Sequence, residues 1–257
     1  MNRIQLSPLA KSKLSGHTNY KSASAEVQQN RSTKPTCFDS SLTSTDLLDY
    51  SLVIPEHYES GYSYPLIVWL HGPGHQHRQI LRVMPGMNAR NYGAVSVGSD
   101  SQEECWEQES SCIERTAEKV QVAIDHAKLR LNIDSQQVFI AGMGTGGSMA
   151  FRLAFSFPHW FAGVASLNGA VPGNACPLGN WSRCKSVPVF WAHARKSNSF
   201  SEPDLCDQLR LLHIGGFSVT LRQYPCDDRL NKKVYSDLNN WVMDTISDQP
   251  DVDSIIK

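Results

Sequence analysis

The stretch VFIAGMGTGGSMAFRLAFSFP, residues 138–158, decides the fold. Val138 to Ala141 is a short apolar run ended by glycine, the pattern of a strand covered on both faces. Gly142-Met143-Gly144-Thr145-Gly146-Gly147 follows, and from Met149 to Phe157 the apolar residues recur at helical spacing. A strand that turns this sharply into a helix has its apex at Gly144, where a positive φ is expected because glycine alone takes it without cost. A phosphate-binding G-x-G-x-x-G turn is the other reading of these glycines. Such a fingerprint follows the first strand of its domain and has an acid about 20 residues on. Here the turn lies far downstream, and the next apolar run ends in Leu167-Asn168.

Outward from this stretch, short apolar runs alternate with amphipathic segments. Strands are expected at Tyr50 to Ile54, Leu66 to Leu70, Ala94 to Gly98, Val138 to Ala141, Gly163 to Leu167, Val187 to Ala192 and Ser218 to Arg222. Helices are expected at Ile113 to Leu131, Gly147 to Phe157, Asp204 to Ile214 and Lys232 to Ile246, with a long loop or small cap from Asn168 to Ser186. The fold class is α/β, a mostly parallel sheet of about seven strands with helices on both faces. Rossmann-like and flavodoxin-like folds share that pattern.

With 257 residues, the chain is long enough for one large core. A single domain is expected over residues 45–257. Residues 1–44 are basic, rich in serine and poor in aromatics, and read as a disordered tail or, by composition, an organelle transit peptide. A formal net charge of −1 with interspersed signs gives no field for a phosphate backbone, so no nucleic-acid partner is expected. No run of about 18 apolar residues is present, so no membrane span is expected, and the default location is cytoplasmic. The seven cysteines are an odd count without C-x-x-C spacing, which favours free thiols over a disulfide framework. Cys105/Cys112 and Cys176/Cys184 each bracket a short loop and stay unassigned.

A second motif joins the first. In YPLIVWLHGPG, residues 64–74, His-Gly directly follows an apolar strand. Together with the turn at Gly144, and with FSFPHWFAGVASLNGA, VPVFWAHA and VTLRQYP further on, it makes the chain resemble the α/β-hydrolase superfamily, most closely the phospholipase/carboxylesterase and dienelactone-hydrolase-like esterases. The resemblance covers roughly residues 47–246. It implies the α/β-hydrolase fold and a serine nucleophile, a histidine base, an orienting carboxylate and two backbone N–H groups for the oxyanion.

Carried over residue by residue, that machinery is substituted. The nucleophile position falls on Gly144, the acid position on Ser197, and the histidine position on Arg229 or Asp228. The oxyanion loop would be Gly72, Pro73 and Thr145, and Pro73 has no N–H to offer. The expectation is therefore a pseudo-hydrolase with a binding or regulatory role, and the alternative an active ester or thioester hydrolase with a displaced nucleophile. His71 and His75 together with Trp106 and Trp181 are the candidate pocket residues. His71, His75 and His77 have a spacing open to metal, but no carboxylate or cysteine lies nearby to complete a site, so neither metal nor cofactor is expected. A small acyl-type ligand or a protein partner is the expected binding class.

Overall fold

The computed structural model describes residues 49–100, 106–173, 181–228 and 231–248, with the backbone of 37–39. Its centre is a single sheet of eight strands: β1 (Cys37–Asp39), β2 (Tyr50–Val53), β3 (Tyr64–Leu70), β4 (Gly93–Val97), β5 (Ile133–Met143), β6 (Gly163–Leu167), β7 (Val189–Ala194) and β8 (Val219–Tyr224). The order across the sheet is β1-β2-β4-β3-β5-β6-β7-β8. The first two strands run antiparallel to their neighbours, and β4 through β8 are joined by parallel ladders.

The central strands explain why parallel pairing wins. Every residue of β3 is buried, and successive side chains go to opposite faces: Leu66, Val68 and Leu70 to one core, Ile67 and Trp69 to the other. Pro65 cannot donate to the ladder, and the β3–β5 register shifts at that point, between Tyr64 and Leu66.

Helices cover both faces. On the first lie α2 (Ser110–Arg130), α3 (Thr145–Ser156) and α5 (Glu202–Ile214), where Ala117, Val120, Ala123, Ile124 and Ala127 of α2 form one apolar stripe. On the second lie α1 (Ile80–Met87) and α6 (Lys232–Ser247), with Val234, Leu238, Trp241 and Val242 packed inward.

All seven expected strands and all four expected helices are present, with ends shifted by a few residues. Three elements differ from expectation. Helix α1, preceded by a 3-10 turn at His77–Gln79, escaped because Pro85 and Gly86 interrupt a stripe of Ile80, Val83, Met84 and Met87. The stretch read as a long loop carries the short helix α4 (Trp181–Cys184). The eighth strand, β1, falls within the stretch read as tail. The other residues of that stretch lie outside those described, as do Cys105 and Cys176. Cys112, Cys184, Cys206 and Cys226 are free thiols. No helix among the described residues is long and apolar enough to cross a membrane.

Candidate active site

The carboxyl ends of β3, β5, β6, β7 and β8 bring Gly72, Pro73, Gly144, Thr145, Ser197 and Asp228 to one edge of the sheet, where open α/β sheets place their ligands, whereas Trp181 precedes the amino end of β7. Between β5 and α3, Gly144 has φ 56° and ψ −124°. This is the sharp strand-to-helix elbow, in a conformation that resists a β-carbon. Its N–H donates to Leu167 O at 2.8 Å, and its carbonyl accepts from Ser148 N at 3.1 Å. At the second residue of α3, the helix passes so close to the end of β3 that a β-carbon on Gly146 would lie 2.3 Å from His71 O. That contact requires glycine and sets the angle of the elbow.

Pro73 faces the apex. A β-carbon on Gly144 would stand 2.9 Å from Pro73 Cδ and 3.4 Å from Cγ, so a side chain at 144 would crowd the pyrrolidine ring. The preceding residue is also engaged: Gly72 N–H donates to Gln79 Oε1 at 3.0 Å, and Trp69 Nε1–H donates to the same oxygen at 2.9 Å. Gln79 was not singled out from sequence, since a lone glutamine in a histidine-rich loop carries no signal. Thr145 Oγ1 accepts from Trp106 N at 3.4 Å.

Past the ends of β6, β7 and β8, Asp228 is held by a set of donors. Ser197 Oγ donates to Asp228 Oδ1 at 2.6 Å, Ser199 Oγ donates to the same oxygen at 3.1 Å, and Asn198 N–H donates to Oδ2 at 3.2 Å. Asn168 Nδ2 donates to both Asp228 and Ser197, while Asn168 Oδ1 accepts Ala194 N–H at 3.2 Å. Asn168 takes φ 61°, a strained value that aims its amide into this cluster. Burial alone would raise the Asp228 pKa, but the donors together outweigh it and hold the carboxyl below its ordinary value. Positions 197 and 228 are thus in direct hydrogen-bond contact; Arg229 lies outside the described residues. Half-buried Cys226 is a poor nucleophile, because burial and then the charges of Asp227 and Asp228 raise its pKa.

The histidines are structural in their contacts. His71 is buried with its ring centroid 4.8 Å from that of Trp106; its Nδ1–H donates to Gly72 O, its Nε2 accepts Ser99 N–H, and its carbonyl accepts Trp106 Nε1–H at 2.8 Å. His75 is half-buried in the loop. His77 joins Ser51 Oγ at 2.7 Å through Nδ1 to Asp49 Oδ1 at 2.7 Å through Nε2, a serine-histidine-aspartate chain whose serine is 1% exposed on β2 and open to no substrate. Trp106 lines a crevice of about 70 Å³ with Asp100 and Arg115, well below ligand size. Trp181 opens α4. Among the described residues no group of three or more His, Cys, Asp or Glu is placed to hold a metal ion.

His193 lies in the VPVFWAHA motif but is given no role by the sequence reading. It is wholly buried on β7, edge-on to Phe200 with centroids 5.4 Å apart, and neither ring nitrogen has a hydrogen-bond partner among the described residues. Burial lowers its pKa.

Known proteins share this frame. The Bacillus cereus carboxylesterase superposes with a TM-score of 0.64 at 16% identity, covering 79% of this chain and 96% of that one. Arabidopsis thaliana SOBER1 superposes with a TM-score of 0.61 at 17% identity, covering 72% and 100%. The chain has the α/β-hydrolase fold. Within that fold, residues 83–200, less than half of the chain, match the phospholipase/carboxylesterase family model. The poly(3-hydroxybutyrate) depolymerase of Ralstonia pickettii is 33% identical over 95 residues, 33% of this chain. NocK of Nocardia uniformis subsp. tsuyamanensis is 43% identical over 49 residues, 19% of this chain. The aligned segments span only 20% and 14% of those two relatives' own lengths.

Proposed function

We propose that this α/β-hydrolase is a catalytically degenerate relative of the phospholipase/carboxylesterase family, which binds an acyl-type ligand or a protein partner without turning over an ester. The observation that carries the reading is the closeness of Pro73 to Gly144: the apex has no nucleophile, and a β-carbon there would crowd a ring that also lacks an oxyanion N–H. The other half of the machinery is replaced as consistently. At one of the two positions we assign to the histidine, Arg229 or Asp228, an aspartate is held by Ser197, Ser199, Asn198 and Asn168, and it would have to give up those donors to turn toward the elbow. Loss of one member of such a unit already removes most of the catalysis.

From the esterase names of its relatives we infer the ligand class to test: acyl esters or the corresponding acids. The direct test pairs turnover with binding. Purified protein is offered a panel of acyl esters of increasing chain length and the matching free acids, and both product release and thermal stabilisation are recorded. Stabilisation without product release supports the reading, whereas saturable product release overturns it.

A further inference from the structure

We propose that the groove between α2 and the turn after α3 docks an arginine-bearing segment of a partner protein, with the guanidinium at Glu114 and Glu118 and its stem on the rings of Phe157 and Trp160. None of the groove's residues belongs to the site at the carboxyl ends, so the inference is independent of the proposed function.

The aromatic wall is preformed. Helix α3 ends at Ser156, and Trp160 N–H donates to Phe157 O at 3.0 Å, closing a turn over Pro158 and His159. That turn stacks the rings of Phe157 and Trp160 with centroids 4.3 Å and planes 12° apart, and both stay half-buried. Facing them, α2 presents Glu114, Ala117, Glu118 and Val122, whose spacing sets them along one side of the helix. Between the two lies a groove of about 420 Å³.

This groove is short of a cation, and the chain supplies none. Glu114 and Glu118 are exposed like charges at i and i+4, an arrangement that disfavours the helix. Neither has an ion pair among the described residues, and no Lys or Arg is among the residues that line the groove. Arg115 and Lys119 of the same helix both turn to Asp100 instead. His159 stands edge-on to Trp160 with centroids 6.1 Å apart and does not line the groove.

The shape of the groove selects an arginine carried by a peptide. A guanidinium is planar and weakly hydrated, so it lies on an aromatic face while its fork donates to carboxylates, which an ammonium does less well. From Glu114 to Val122 the lining runs about 12 Å along α2, at 1.5 Å per residue. That leaves Ala117 and Val122 as apolar floor for the residues beside the arginine.

An NMR titration of the full chain tests this, read at the Trp160 indole N–H, which is assigned by its absence in Trp160→Leu. The probe is the peptide acetyl-Ala-Leu-Arg-Leu-Ala-amide, and a saturable shift is expected. The same peptide with citrulline, the uncharged isostere of arginine, should bind about fivefold more weakly, and so should free butylguanidinium, which lacks the apolar neighbours. Glu114→Gln combined with Glu118→Gln, both exposed and outside the core, should bring the arginine peptide down to the level of the citrulline one. No saturable shift, equal affinity for the arginine and citrulline peptides, or an arginine peptide indifferent to the double substitution would each overturn the proposal. Butylguanidinium that binds as tightly as the peptide would assign the groove to a small cation and overturn the partner.

Discussion

Pro73 Cδ stands 2.9 Å from the place a β-carbon on Gly144 would take, closer than real β-carbons approach their neighbours. Two substitutions that the sequence displays as separate losses are therefore coupled in space. A side chain at 144 would have to displace the Pro73 ring.

Gly144→Ala should lower stability by about 1–2 kcal/mol for the positive φ alone, and by more because of the ring. In a Pro73→Ala background the same change should cost less. Denaturant unfolding of the two single variants and the double variant measures the difference, and equal costs in both backgrounds would show that the ring does not constrain position 144.

Asp228 should make stability acid-sensitive. Its pKa is held below the ordinary carboxylate value in the folded state, so the unfolded chain binds the proton more readily. The stabilisation is fully present above the unfolded value, about 3.9, and is lost as pH falls through the folded one. Asp228→Ala, which leaves Ser197 and Asn168 without their acceptor, should cost about 1–3 kcal/mol near neutral pH and flatten this acid limb. Unfolding midpoints measured from pH 7 to pH 3 check both effects.

His193 adds a second limb at higher pH. A buried imidazole without a partner stays neutral in the fold, so protonation is easier in the unfolded chain. Stability is then present above the unfolded value of about 6.5 and declines as pH falls below it. Glu202 and Asp228 act on the ring in the opposite sense but do not outweigh burial. His193→Leu should remove the decline between pH 6.5 and 5 while leaving the Asp228 limb in place. A wild type whose stability is flat over that window would contradict the assignment.

Putting the chemistry back is a stricter trial of the frame. Ser197 and Asp228 already touch, so Ser197→Asp with Asp228→His places an imidazole against a carboxylate, and Gly144→Ser with Pro73→Leu opens the apex and returns one oxyanion N–H worth about 3 kcal/mol of barrier. The quadruple variant should hydrolyse short acyl esters weakly and saturably. The triple variant that keeps Pro73 should be both less stable and inactive. Comparable activity with and without Pro73 would mean that the ring is no obstacle.

The fold was legible because its signals are local. Continuous apolar runs such as Leu66 to Leu70 and the stripe from Val120 to Ala127 each fix an element by period alone. Gly144 was legible for the same reason, since a glycine apex between a strand and a helix leaves few backbone choices. What was hidden depends on distant pairs. Gln79 reaches Gly72 and Trp69 only once the 3-10 turn folds back, and Asn168 joins Ser197 and Asp228 only because β6, β7 and β8 end side by side. His193 looked like any strand residue, because its lack of a partner is a property of packing. Pro85 concealed α1 by breaking the pattern that its buried face otherwise keeps.

The central claim, that the elbow holds no working nucleophile, is tested most directly by mass spectrometry of the intact protein after treatment with a serine-directed fluorophosphonate, alongside hydrolysis of p-nitrophenyl acetate and butyrate. The account predicts no mass shift and ester hydrolysis no faster than on a protein surface without a site. Stoichiometric labelling that maps to a single serine or threonine, such as Ser148 or Thr145, with matching loss of saturable turnover, would contradict it.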